Sequence, residues 1–290
     1  MSNITYTFII PHKNCPDLLC RCLKSIPKRE DIQIIIVDDN SDIGKSPNIP
    51  QENVEVVRLK KSQSNGAGHA RNVGLEKVRG RWVLFVDADD YYYPNALDVL
   101  DKYKDSSNDV VFFNFDICNS SALRDVERIK WERVHQLISQ HDENYVKYRF
   151  HVPWDKMVSR QFLLKHNIRF EEVTIGNDIL YSLLIGYYAK TFEIESTAIY
   201  NYYINPHSLS FGYRNLNRLM CMIEGWFKVN KFNDFIGHRE WNTSISKEIA
   251  YLVIQNKKRS LFIIVNFLMK YPYFLYVSKR YVDIIRNRHD

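Results

Sequence analysis

Glycine and proline are scarce, ten and nine in 290 residues, and no tract repeats or collapses into low complexity. That excludes a collagen-like or linker-dominated chain. Cysteine is also thin: Cys15, Cys20, Cys22, Cys118 and Cys221 are odd in number and contain no CxxC pair. This argues against a disulfide framework or a thiolate zinc site and points to a reducing compartment. A secretory leader is not expected, because MSNITYTFIIPHKN has no basic start and its apolar stretch ends at Pro11. No apolar run approaches the ~20 residues that a spanning helix needs. The reading is therefore a cytoplasmic protein.

What is present is a globular composition, 45% hydrophobic and 14% aromatic, with a net charge of +6. The location of that charge matters more than its size. Residues 256–290 hold eight Lys/Arg against Asp283 and Asp290, and the remaining chain balances to neutrality, so no broad polyanion-binding face is expected.

Short β-rich runs alternate with helical patterns. TYTFII (5–10), IQIIIVD (32–38), VEVVRL (54–59), WVLFVD (82–87), DVVFFNF (109–115) and TFEIESTAIYNYYI (191–204) read as strands. Helices are expected near 16–26 and 68–78, after Pro94, and near 178–189. The rhythm predicts an α/β fold with an open, mostly parallel sheet flanked by helices and a ligand at the strand C-terminal ends. Residues 1–215 are expected to form the catalytic domain, with 1–115 on the nucleotide side and 116–215 on the acceptor side. Residues 216–290 read as a helical C-terminal extension.

Three polar clusters follow strands: PHKN (11–14), DDNSD (38–42) and DADD (87–90). Each alone is an ordinary turn or helix cap. Together they would bring Asp38, Asp39, Asp87, Asp89 and Asp90 to one sheet edge, where a divalent cation is the natural counter-charge and Asp87-x-Asp89 suits a bridge to substrate phosphates. NGAGHARNVG (65–74) lets a backbone approach closely and carries Arg71 and Asn72 into a helix. It lacks the third glycine of a dinucleotide fingerprint and follows the wrong strand for one.

FIIPHKN, VDDNSD, NGAGHARNVG and WVLFVDADD, in this order and spacing, resemble the nucleotide-sugar domain of the family 2 glycosyltransferases with a GT-A fold. The resemblance covers about residues 5–100. It implies that the Pro11 segment and Asp39 hold the nucleobase of a uridine-type donor, that Arg71 lies near the nucleotide, that Asp87 faces ribose and diphosphate, and that Asp89 binds Mn²⁺ or Mg²⁺ directly, with Asp87 beside it. Asp90 would close or support that loop. Lys13 stands where the family often has an aromatic residue, leaving it to contact phosphate or be solvated.

VPWDKMVSRQFLLKHNIRFEE and TIGNDILYSLLIGYYAK resemble the family's acceptor side. A Glu-Asp pair often opens a helix there, and here Asn177-Asp178 keeps only the Asp, which becomes the candidate base. Trp154 and Asp155 are candidates to line the acceptor site. His12, His151 and His207 lack the spacing of a metal site. The implied activity is inverting transfer of a sugar from a nucleoside diphosphate to a glycan hydroxyl. The implied acceptor is lipid-linked, of the undecaprenyl-diphosphate type, in surface polysaccharide assembly. The rivals are a metal-dependent nucleotidyltransferase and a non-catalytic glycan- or lipid-binding relative. The apolar, aromatic and basic tail reads either as interfacial helices at an anionic membrane or as helices packed on the catalytic domain.

Overall fold

The computed structural model describes residues 3–47, 49, 53–118, 125–205 and 216–244. His207 and the basic segment 256–290 lie outside them. Two compact units divide the chain, residues 1–212 and 213–290.

The first unit is built on one eight-stranded sheet. Its strands are β1 (Tyr6–His12), β2 (Ile32–Asp38), β3 (Val54–Arg58), β4 (Trp82–Phe85), β5 (Tyr91–Tyr92), β6 (Val110–Cys118), β7 (Lys156–Ser159) and β8 (Phe192–Tyr203), in spatial order β3-β2-β1-β4-β7-β6-β8-β5. The first four neighbours are parallel, as are β6 and β8. Strand β7 enters between β4 and β6 antiparallel to both, and β5 pairs antiparallel with β8. Every residue of β2 is buried and β1 is buried except at Pro11, which is what strands covered on both faces require.

The covering helices are α1 (Pro16–Lys24), α2 (Gly66–Leu75), α3 (Ala96–Asp101), α4 (Asp125–Ser139), α5 (Glu143–Tyr148), α6 (Arg160–Lys165) and α7 (Ile179–Tyr188). Helix α1 opens with Pro16, whose fixed φ suits a first turn, and buries Leu19 and Cys22. Helix α2 lies close on β1 because position 74 is glycine: a Cβ there would sit 2.4 Å from Cγ2 of Ile9. In the second unit, α8 (Leu216–Phe235) is followed by a 3-10 turn, Arg239–Trp241. No helix among the described residues is long and apolar enough to cross a membrane.

The acceptor-side expectation for Trp154 is corrected here. The indole is 4% exposed and stacks on Tyr200 at 4.8 Å and on Tyr202 at 5.4 Å, with Phe115 and Phe150 against its edges. A ring enclosed this way has no face left for a sugar. Trp154→Ala is expected to destabilise the protein by about 3–5 kcal/mol, the usual cost of emptying a large aromatic site, measured by denaturant unfolding.

Candidate active site

The parallel strands bring three loops side by side. His12 at the end of β1 is in register with Asp38 at the end of β2, and the amide of Val86, just past β4, bonds to the carbonyl of Ile9. PHKN, DDNSD and DADD therefore share one sheet edge, and their five carboxylates separate into two kinds.

Asp38 and Asp90 are consumed by the scaffold. Oδ1 of Asp38 accepts from the amide and hydroxyl of Ser41, at 3.1 and 2.5 Å, and Oδ2 accepts from the hydroxyl of Ser46. Asp90 is fully buried, with the Tyr200 hydroxyl donating to Oδ2 and the Tyr203 amide to Oδ1, each at 2.7 Å. Burial, with the charges of Asp87 and Asp89 nearby, pushes its carboxyl well up from the ordinary range. The expected five-carboxylate cluster thus reduces to Asp39, Asp87 and Asp89.

Those three retain capacity for a ligand. Asp39 is buried, its Oδ1 has no hydrogen-bond partner among the described residues, and its Oδ2 meets only the half-exposed Lys13, at 3.4 Å. A buried acceptor left open is costly unless something donates to it. Pro11 is half-buried beside it on β1. Lys13 also reaches the Ser64 hydroxyl at 3.4 Å. Asp89 accepts from the Asn205 amide at 3.3 Å, and burial together with the Asp87 charge raises its carboxyl pKa. Arg21 of α1 fixes the loop by donating to the Asp89 carbonyl at 2.5 Å while its guanidinium lies over Tyr91 and Tyr203. Tyr200 steadies the loop through the Asp87 amide, whose N–H meets its hydroxyl oxygen at 3.1 Å.

Helix α2 ties two segments together. Arg71 is buried and donates through Nη2 to Asp87, at 2.6 Å, and through Nη1 to Asn177, at 2.6 Å. Asn72 holds both the amide and the carbonyl of Phe170, at 2.9 and 3.0 Å. Asn65, His69 and Asn72 converge on Glu172, whose carboxyl is held below its usual range chiefly by His69. Gly68 permits this contact, since a Cβ there would fall 2.1 Å from the carbonyl of Glu171. The glycine-containing helix is therefore a clamp on segment 170–177.

That segment delivers Asp178 to the start of α7. Asp178 stands at the capping position yet makes no capping hydrogen bond. Burial raises its pKa, Arg71 opposes the rise and Asp87 adds to it. The Asp178 carboxylate is thus half-buried and uncapped, with the Arg71 charge acting on it.

Asp155 is corrected along with Trp154. It is buried, its Oδ1 lies 2.5 Å from Nζ of the equally buried Lys156, and burial outweighs that cation to push its pKa up to about 6. It does not face an acceptor. His151 is held down at about 4 by burial and bonds to the carbonyl of Tyr148. Among the described residues no three of His, Cys, Asp and Glu gather as a closed metal cage. A cation at Asp89 would need oxygens from a substrate, the mode in which Mg²⁺ is commonly held.

The sequence reading missed Tyr200, Asn205, Arg21 and the Asn72 clamp. Only Tyr200 carried a signal, as the period-two partner of Tyr202 on one strand face.

Residues 7–166 match the family described as Glycosyl transferase family 2. The chain is 27% identical over 235 residues to the uncharacterized glycosyltransferase YibD of Escherichia coli (strain K12), covering 77% of this chain and 68% of that protein. It is 28% identical over 291 residues to the succinoglycan biosynthesis protein ExoO of Rhizobium meliloti (strain 1021), covering 88% and 78%. Among solved structures, S. aureus TarS 1-349 in complex with UDP-GlcNAc aligns with a TM-score of 0.60 at 19% identity, over 89% of this chain and 73% of that one, which is likeness of fold.

Proposed function

From the premise that this chain belongs to glycosyl transferase family 2 and is a glycosyltransferase, we propose that it makes polysaccharide by inverting transfer of a sugar from a nucleoside diphosphate, a UDP-sugar, to a glycan hydroxyl. The observation that carries this reading is the meeting, through Arg71, of Asp87 on the donor loop with the segment that presents Asp178. The solved TarS complex with UDP-GlcNAc and the relative concerned with succinoglycan biosynthesis support the donor and product class.

In this reading the open oxygen of Asp39 accepts an N–H of the nucleobase, beside Pro11 and Lys13. Asp87 faces ribose and diphosphate with one oxygen already fixed by Arg71. Asp89 would hold Mn²⁺ or Mg²⁺, and the residues fit such an ion, because a half-buried carboxylate whose pKa is raised by desolvation and by the Asp87 charge gains from a cation. When bound, that ion supplies electrostatic stabilisation of the departing diphosphate. Asp178 takes the proton from the acceptor hydroxyl as its oxygen bonds to the anomeric carbon. The bond from that carbon to the phosphate oxygen breaks in the same displacement, and the configuration inverts. The product of an α-linked donor is expected to carry a β linkage, read by the anomeric coupling in NMR; a retained α linkage would exclude single displacement on Asp178.

The tail extends the proposal to the acceptor. Eight cations among apolar and aromatic residues in 256–290 favour an anionic membrane surface and a lipid-linked acceptor. The full chain is expected to co-sediment with vesicles containing anionic phospholipid at low salt and to release as the screening length falls below ~8 Å. Indifference to anionic lipid would remove this part and leave the transferase reading intact.

A further inference from the structure

Arg71 and Asn177 are 106 positions apart, yet their side chains meet at 2.6 Å inside the protein, one residue from Asp178. The same guanidinium holds Asp87 at 2.6 Å and lies over the Phe170 ring. Phe170 in turn stacks on Tyr181 at 4.0 Å, so the segment 171–178 is closed by an aromatic contact between its flanks and tied to α2 through Asn177. Asn177 is 8% exposed, and its own carbonyl accepts from the amide of Glu171 at 3.1 Å. Its side chain therefore has one evident task, to accept from Arg71.

We propose that Arg71 and Asn177 form a brace that positions Asp178, and that the neutral amide at 177 leaves the guanidinium charge to Asp87. The proposal rests on Asp178 being the base. A carboxylate at 177 would accept equally well and would cancel the same cation, so geometry and charge can be separated at this position. The charged groups facing Asp178 are Arg71 from α2, Asp87 from the loop after β4, and Lys156 of β7. Lys156 is already paired with Asp155, and Glu172, earlier on the segment, is paired with His69. Arg71 is thus the one of these cations that ties the donor loop to the residue before Asp178.

The test compares Asn177→Asp with Asn177→Ala in transfer assays across pH, with UDP affinity from calorimetry as the donor-side readout. Asn177→Asp keeps the hydrogen bond and adds a like charge beside Asp178. It is expected to move the acidic limb of kcat upward by about 1 pH unit and to regain at alkaline pH most of the rate lost at neutral pH. Asn177→Ala loses the bond and is expected to lower kcat about 10-fold or more at every pH, the scale of a displaced reacting group. UDP affinity should hold in both. An acidic limb left in place by Asn177→Asp would overturn the proposal, as would a full rate in Asn177→Ala. If either variant melts well below the wild type, the folded one decides, since each prediction stands alone. Asp178→Asn separates this failure from that of the functional reading: a limb that persists in Asp178→Asn shows that Asp178 is not the base.

Discussion

Asp178→Asn is expected to lose at least ~10²-fold in kcat while binding donor as the wild type does, the usual scale for removing a general base. The prediction follows from three features of the site. Asp178 occupies the capping position of α7 without capping it, so the amide replacement costs the helix no hydrogen bond. It is nearly isosteric, so the 170–177 segment stays clamped to α2. In the proposed reaction the task that the replacement removes is proton transfer. Burial raises its pKa, and the active form is the carboxylate. In the wild type the rate should therefore fall as pH drops through a value above the ~3.9 of an ordinary Asp, and the variant should lack that limb. Kinetics across pH with separate donor titrations check both parts. Donor binding lost at unchanged turnover per bound donor would make Asp178 a structural residue.

Asp89→Ala is expected to abolish transfer and metal-dependent donor binding with the fold intact. The Asp89 side chain accepts from the Asn205 amide, and the loop around it is held by other atoms: the Asp89 carbonyl by Arg21, Asp90 by Tyr200 and Tyr203, and Asp87 by Arg71. Stability should move in the opposite sense from activity. The folded-state pKa of Asp89 is raised, so the folded protein binds its proton more tightly than the unfolded chain does and loses stability as pH rises through that pKa. Removing the group should raise Tm at neutral pH relative to acidic pH, where the carboxyl is neutral. Differential scanning measurements at the two pH values test the sign, and wild-type turnover in the variant would refute the role given to Asp89.

The sheet was legible because its strands are short, apolar and β-branched. IQIIIVD reads directly as a strand buried on both faces, and it is one. The shared edge followed from three polar clusters at strand ends. What the sequence hid were long-range pairings. Asp38 and Asp39 are adjacent carboxylates, and only the serines at 41 and 46, folding back onto the first, distinguish a turn former from an open acceptor. That much was readable as an Asx-turn pattern. Trp154 and Asp155 are acceptor-site candidates in the sequence because their segment, VPWDKMVSRQFLLKHNIRFEE, resembles the family's acceptor side, a resemblance that carries no sign of burial. The structure turns the indole onto Tyr200 and Tyr202 and buries the two charges against each other. Strand β7 escaped because four residues, KMVS, carry too little periodicity. The resemblance sets Arg71 near the nucleotide, and no local pattern shows that it also joins Asp87 and Asn177, 16 and 106 positions away.

The account stands or falls on whether the edge carrying Asp39, Asp87 and Asp89 is a metal-dependent nucleotide-sugar site. Melting of the wild type and of Asp89→Ala with UDP-, GDP- and dTDP-sugars, each with and without Mn²⁺, measures this directly, because only a ligand bound to the native state raises Tm with its own concentration. The account predicts a concentration-dependent rise for UDP-sugar in the wild type with Mn²⁺, and none in Asp89→Ala. An equal rise in the variant, or no response to any nucleotide sugar with metal present, would contradict it.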